Sequence, residues 1–140
     1  MKISTKGRYG LKAMIDIAVA DNCISLKTIA NRQGISENYL EQLVSVLKKA
    51  GFVKSIRGAQ GGYTLNMPAD EITVGDILRT MEGSISPAAC VDDSLQYDCS
   101  DDLCVNCVTK PVWEKINNSV NDVVNNITLY ELTQGVEKIE

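Results

Sequence analysis

Apolar residues recur at helical spacing three times within the first fifty positions. Over residues 8–20, Leu11, Met14, Ile15, Ala18 and Val19 line one side of a helix that Asp21-Asn22 ends. Ser25 is placed to cap a short second helix with Leu26, Ile29 and Ala30 turned inward. Gly34-Ile35 predicts a tight turn. Ser36 then caps a third helix over residues 37–50, where Leu40, Leu43, Val44 and Leu47 face the core and Gly51 is the stop. Two helices joined by a short turn containing glycine form a helix-turn-helix.

The pattern then changes from period 3.6 to period 2. Residues 52–57 and 63–67 read as strands, the second alternating Tyr63, Leu65, Met67. Gly58-Ala59-Gln60-Gly61-Gly62 between them is a loop of small residues, so the hairpin forms a wing behind the helix-turn-helix. Thr73 caps a further helix, with Asp76 three residues on and Ile77, Leu78 and Met81 on its apolar side. Residues 83–106 are polar, acidic and without period, too long for a plain connector. Over residues 110–129, Val112, Trp113, Ile116, Val120, Val123, Val124 and Ile127 recur at helical spacing opposite Asn, Asp and Lys. That stripe needs a partner. Self-association is the economical one, and packing back onto the winged domain is the alternative.

The expected fold is mainly α with a small β wing: a winged helix-turn-helix domain plus a long C-terminal dimerisation helix. The expected divisions are a DNA-binding domain at 1–82, a cysteine-bearing loop at 83–108, the dimerisation helix at 109–132 and a tail at 133–140.

Charge sharpens this picture. The net charge of −4 divides unevenly: residues 1–62 carry ten Lys/Arg against four acids (+6), and residues 63–140 carry four against fourteen (−10). A basic face steers polyanions whatever the total charge, although a merely solvated basic surface would have the same composition. No apolar run reaches the roughly 20 residues of a membrane span. The first residues lack the apolar stretch of a secretory signal, so a cytoplasmic, membrane-free chain is expected.

The third helix would offer its N-terminal side chains to base edges in the major groove: Ser36, Asn38, Tyr39, Glu41 and Gln42, beside Glu37. Glu41 can accept from cytosine and Gln42 can pair with adenine; Tyr39 is equally suited to packing. Arg57 with Gly58 sits at the wing tip, where a close approach suits minor-groove insertion, although a hairpin needs tolerant glycines in any case. Ser4, Thr5, Lys6 and Arg8 could hold phosphates. No nucleophile–base pair or phosphate-cradling loop is visible, so no enzyme activity is expected.

Four of the five cysteines form Cys90-x8-Cys99-x4-Cys104-x2-Cys107, and the chain has no histidine. Clustered thiolates in a reducing compartment suit an iron–sulfur cluster or zinc. Structural zinc usually has two CxxC knuckles and this chain has one, which favours the cluster; a Cys104–Cys107 thiol switch is a third reading. Cys23 is expected to be a small buried apolar residue.

Residues 1–10 (MKISTKGRYG), the run SENYLEQL from Ser36, Ile56-Arg57-Gly58-Ala59-Gln60-Gly61-Gly62-Tyr63 and Cys107-Val108-Thr109-Lys110-Pro111-Val112-Trp113 closely resemble the Rrf-two family of bacterial transcription regulators. The likeness runs to about Leu132. It implies a winged-helix homodimer whose long helix crosses its partner, often beside an iron–sulfur cluster. Ser36, Asn38, Tyr39, Glu41 and Gln42 fall on the family's recognition helix, Arg57 and Gly58 on its wing, and Cys90, Cys99 and Cys107 on its cluster cysteines. The fourth ligand departs from the pattern. Lys110 stands where the iron–sulfur branch has histidine, and Arg8 where the nitric-oxide-sensing branch has an acid. Cys104 is therefore the candidate fourth ligand.

The expected protein is a homodimeric repressor that reads an imperfect palindrome on double-stranded DNA, its two recognition helices roughly 34 Å apart, and holds a 2Fe–2S cluster on Cys90, Cys99, Cys104 and Cys107. The alternative is a cluster-free regulator of cysteine or sulfur metabolism, controlled by a partner enzyme or by thiol oxidation, with zinc or nothing at the cysteines. The N-terminal run also resembles that branch, which lacks the cluster cysteines. A small redox enzyme would explain the cysteines but leave the basic half unused.

Overall fold

The computed structural model describes residues 2–95 and 107–135. Its elements are α1 (Thr5–Val19), α2 (Leu26–Gln33), α3 (Glu37–Lys49), β1 (Val53–Ile56), β2 (Gly62–Leu65), α4 (Val74–Glu82), α5 (Lys110–Asn125) and α6 (Leu129–Thr133), with 3-10 turns at Ala69–Glu71 and Ala89–Val91. The chain is mainly helical with one two-stranded antiparallel sheet, the winged helix-turn-helix architecture expected.

The caps are those the sequence announces. Ser25, Ser36 and Thr73 each accept the backbone N–H three residues on, and Thr73 with Asp76 forms a full capping box. Gly34 ends α2 in the left-handed region at φ 67°. The core gathers Ala13, Met14 and Ile17 of α1, Ile29 of α2, Leu40, Leu43, Val44 and Leu47 of α3, and Ile77 and Met81 of α4. On α1 the buried face is rotated from the predicted one. Ala13 and Ile17 are buried while Leu11, Ile15 and Ala18 only flank the core. The reason is Gly7 and Gly10, both buried where α1 meets α4. A Cβ on Gly10 would lie 2.8 Å from Met81 Cγ, and one on Gly7 would collide with the Glu82 carboxylate.

Glu82 secures this crossing. Its Oε1 accepts the Ser4 N–H at 3.0 Å, the Ser4 hydroxyl at 2.5 Å and the Gly7 N–H at 3.1 Å, placing a carboxylate on the N-terminus of α1. Ser4 thus precedes α1 as its cap, whereas Thr5 is its first residue, so the helix begins earlier than the expected residue 8. With its N–H and hydroxyl already given to Glu82, Ser4 does not fit the phosphate role foreseen for it. Asp16, 3% exposed, ties α1 to α2 by accepting from Arg32 Nε (3.3 Å) and Gln33 Nε2 (2.7 Å).

The C-terminal helix is shorter than its apolar stripe suggested. α5 stops at Asn125, and Thr128, in extended backbone, caps α6 by accepting the Glu131 N–H. The segment between is stitched to the start of α4: Val74 N–H donates to the Ile127 carbonyl and Leu129 N–H to the Ile72 carbonyl, both at 2.8 Å. Leu129 lies fully buried in the main core. Val120, Val124 and Ile127 pack on Val74, Leu78 and Ile85, whereas Val112 and Val123 stay 48% and 58% exposed. Half of the stripe therefore docks on its own domain, and the other half faces outward.

Glu82→Ala removes the acceptor that serves three donors. Since a hydrogen bond to a charged group contributes about 1.5–3 kcal/mol and these groups retain access to water, a loss of roughly 1–2 kcal/mol is expected in urea unfolding. An unchanged midpoint would show that the carboxylate does not hold α1.

Candidate nucleic-acid interface and cysteine loop

The outer face of α3 carries the predicted reading residues. Ser36, Asn38, Glu41 and Gln42 are exposed, and Asn38, Glu41 and Gln42 share a shallow groove with Ser45 and Lys49. They are held outward because Leu40, Leu43, Val44 and Leu47 occupy the opposite face of the same helix. Ser36 is already engaged as the cap of α3, its Oγ accepting the Tyr39 N–H at 3.1 Å. Tyr39 is half-buried and meets Tyr9 edge-on, with centroids 6.4 Å apart, while Lys12 Nζ sits 5.2 Å over the Tyr9 ring. Its ring thus joins α3 to α1 and keeps a cation beside the reading helix.

The wing projects from the C-terminal end of α3. β1 and β2 pair from Val53–Leu65 to Ile56–Gly62, and β2 also exchanges two backbone hydrogen bonds with Ile24 through Tyr63, at 3.0 and 2.8 Å. Arg57, Gly58, Ala59 and Gln60 form the exposed tip. Its glycines answer different needs. Gly58 adopts φ 118°, whereas Gly61 and Gly62 are glycine because a Cβ would strike the carbonyls of Ile56 and Ile24. Arg57 is therefore presented on a backbone braced from both sides. It stands apart from the α3 groove rather than within it.

Two contacts escaped the sequence. Lys48 Nζ donates to Ser55 Oγ at 3.0 Å, fastening the end of α3 to the wing. Cys23, expected to be buried, is half-exposed, and its thiol donates to the Gln60 carbonyl at 3.1 Å. Neither follows from periodicity, because both depend on where the hairpin folds back.

The cysteine loop leaves α4 through Gly83, at φ 82°, and returns at α5. Cys90 sits on the 3-10 turn Ala89–Val91, lining a groove with Lys110, Glu114 and Asn117 of α5. Cys107 lies just ahead of that helix, 3.1 Å from the Thr109 hydroxyl. Hydrogen bonds from the Thr109 hydroxyl and from the N–H groups of Thr109 and Lys110, with the Lys110 charge, hold its thiol below the ordinary value. Serine hydroxyls of Ser84 and Ser94 likewise hold Asp92 below the ordinary carboxylate value. Cys99 and Cys104 lie outside the described residues. Among the described residues no three potential metal ligands converge, so the structure sets two of the four proposed thiols against α5. A soft, thiolate-prone donor at a helix start, as Cys107 is, suits a soft metal centre. Lys110, paired with Glu114 at 4.0 Å, is not a ligand while it carries that charge.

Residues 3–135 match the model of the family described as "Rrf2: Iron-dependent Transcriptional regulator". The chain belongs to the Rrf2 family. It is 46% identical over 134 residues to the HTH-type transcriptional regulator CymR of Bacillus subtilis, covering 94% of this chain and 89% of that protein. It is 39% identical to the transcriptional regulator IscR of Vibrio campbellii, covering all of this chain and 82% of that protein. Among solved structures it is similar to CymR, the global cysteine regulator of B. subtilis, with a TM-score of 0.80 and 43% identity over 98% of this chain and 99% of that one. It is also similar to T. potens IscR, with a TM-score of 0.73 and 46% identity over 98% and 89%. As an Rrf2-family protein it is a DNA-binding transcription regulator, and the relatives it matches are regulators rather than enzymes. No helix among the described residues is long and apolar enough to cross a membrane.

In metal-free protein, alkylation of Cys107 by iodoacetamide, followed peptide by peptide, should titrate at lower pH than free cysteine. Thr109→Val should move that midpoint upward. Coincidence of the Cys107 curve with free cysteine in the unaltered protein would contradict the helix-start geometry.

Proposed function

We propose that this Rrf2-family chain is a homodimeric, sequence-specific repressor of the bacterial cytoplasm, in which Cys90, Cys99, Cys104 and Cys107 hold a 2Fe–2S cluster. The observation that carries the reading is a thiolate-prone Cys107 at the start of α5, with Cys90 on the groove beside the same helix. The exposed apolar half of α5, Val112 and Val123 with the half-exposed Trp113 and Ile116, is the surface a second copy would cover.

Ser36, Asn38, Tyr39, Glu41 and Gln42 on α3 would read base edges of an imperfect palindrome, and Arg57 with Gly58 would enter the neighbouring minor groove. A cluster, when bound, supplies a redox-labile centre ligated by the thiols. The chain's own contribution is transmission. Ser86 Oγ donates to Asn117 Oδ1 at 3.1 Å and Asn117 Nδ2 to the Val91 carbonyl at 3.4 Å, so the loop's conformation is tied to α5. Arg79 Nη2 donates to Asn121 Oδ1 at 2.7 Å, tying α5 to α4. The arrangement of the thiols thereby biases how two reading heads sit on the duplex.

A second reading rests on Lys110 and on the similarity to CymR: a cluster-free regulator of cysteine or sulfur metabolism, controlled by a partner enzyme or by thiol oxidation. Oxygen-free preparations separate the two. The first reading expects coloured protein with iron and sulfide in near-equal amounts, about two of each per chain; colourless protein with zinc or no metal leaves the second.

Arg57→Ala should weaken operator binding by about 1–3 kcal/mol and relax preference for a narrow minor groove, read by titration against the natural operator and a widened-groove variant. Equal affinity of both proteins for both sites would remove Arg57 from the interface.

A further inference from the structure

Beside the Cys90 groove, with which it shares Asp93 and Asn117, lies a cavity of about 470 Å³ between α4, the loop after it and α5. Arg79 comes from α4, Ser84, Asp92 and Asp93 from the loop, and Asn117 and Asn121 from α5. Arg79 is half-buried and, among the described residues, has one side-chain hydrogen-bond partner, Asn121, through Nη2. No carboxylate lies within 4.0 Å of it among the described residues. A guanidinium presents five donors in a planar fork, and the side-chain hydrogen bond to Asn121 uses one of them, so a planar acceptor that enters the cavity can pair with this one.

The loop wall has the opposite sign. Asp92 Oδ1 accepts the Ser94 N–H at 2.9 Å and the Ser94 hydroxyl at 2.5 Å, which orients its carboxylate beside exposed Asp93. The amides of Asn117 and Asn121 stand on the α5 side, neutral. A simple anion would meet Asp92 and Asp93, and a simple amine would meet Arg79. A zwitterion with a carboxylate and an ammonium group satisfies both walls.

We propose that this cavity is an effector site for a small free α-amino acid, its carboxylate on Arg79 and its ammonium group on Asp92 and Asp93. The volume leaves room for a side chain of moderate size. A ligand held so bridges α4 and the loop, beside the Asn117 and Asn121 amides of α5. An effect on operator affinity rests on the function proposed above; binding itself does not.

Equilibrium dialysis of the full chain against each of the twenty free amino acids, at about 1 mM, tests the site. Any that binds is retested as its N-acetyl and carboxamide forms. Saturable binding of one or a few amino acids is expected, with each blocked form at least about tenfold weaker, because each loses one charge-assisted pairing with the wall. Arg79→Lys, which keeps the charge but loses the fork, and Asp92→Asn should each weaken binding by a similar factor. Failure of all twenty to bind, or equal binding of the blocked forms, overturns the site. The blocked-ligand comparison decides even where a variant does not fold. Retained binding without any change in operator titration would count against the proposed coupling to DNA and leave the site standing.

Discussion

The structure depends on how closely α1 approaches α4. α1 is the hub of the domain, packing against α2, α3, α4, α6 and β2, and its buried side chains are the centre of the core. The approach is possible because Gly7 and Gly10 present no Cβ to Glu82 and Met81. Two effects of different size maintain it. Burying Met14 or Ile17 stabilises by roughly 1.5–3 kcal/mol each, so burial supplies most of the energy. The Glu82 contacts to Ser4 and Gly7 contribute less, but they are directional and fix where along α4 the helix begins. Burial holds the two helices together, and the carboxylate sets their register.

Much of this was legible because local chemistry and tertiary packing agree. Ser25, Ser36 and Thr73 are caps in sequence and in structure, and α3 shows the four core residues its period announces. The failures share a cause. On α1, glycine and alanine make the closest contacts, and a hydrophobic pattern gives such residues little weight. At the end of α5, Thr128-Leu129-Tyr130-Glu131 has the spacing of a capping sequence, but Val124 and Ile127 continued the apolar period across it. The break occurs because the backbone of Ile127 and Leu129 pairs with the chain around Thr73, some fifty residues earlier. Periodicity cannot report that. The cysteine loop was legible as composition only, since it has no period to place its thiols.

Charge segregation constrains how the two halves can work together. The −10 balance of residues 63–140 makes it unfavourable for the cysteine loop to face a phosphate backbone. A signal that arises in the loop has to reach the reading surface through packed elements.

The links available are the apolar packing of α5 on α4 and a few polar contacts. α5 meets the loop through Ser86, Asn117 and the Val91 carbonyl, and meets α4 through Arg79 and Asn121; α4 in turn holds α1 through Glu82. A tenfold change in operator affinity corresponds to about 1.4 kcal/mol, and a net hydrogen bond contributes about 0.5–1.5 kcal/mol. Making or losing one or two of these contacts is therefore enough to switch a regulator, with the apolar core unchanged. The polar contacts between α4 and α5 flank the apolar packing of Val120 and Val124 on Val74 and Leu78, and they are the part of that joint a bound group can reach. A thiol-bound centre at one end of these contacts and a small ligand among them would act on the same few bonds.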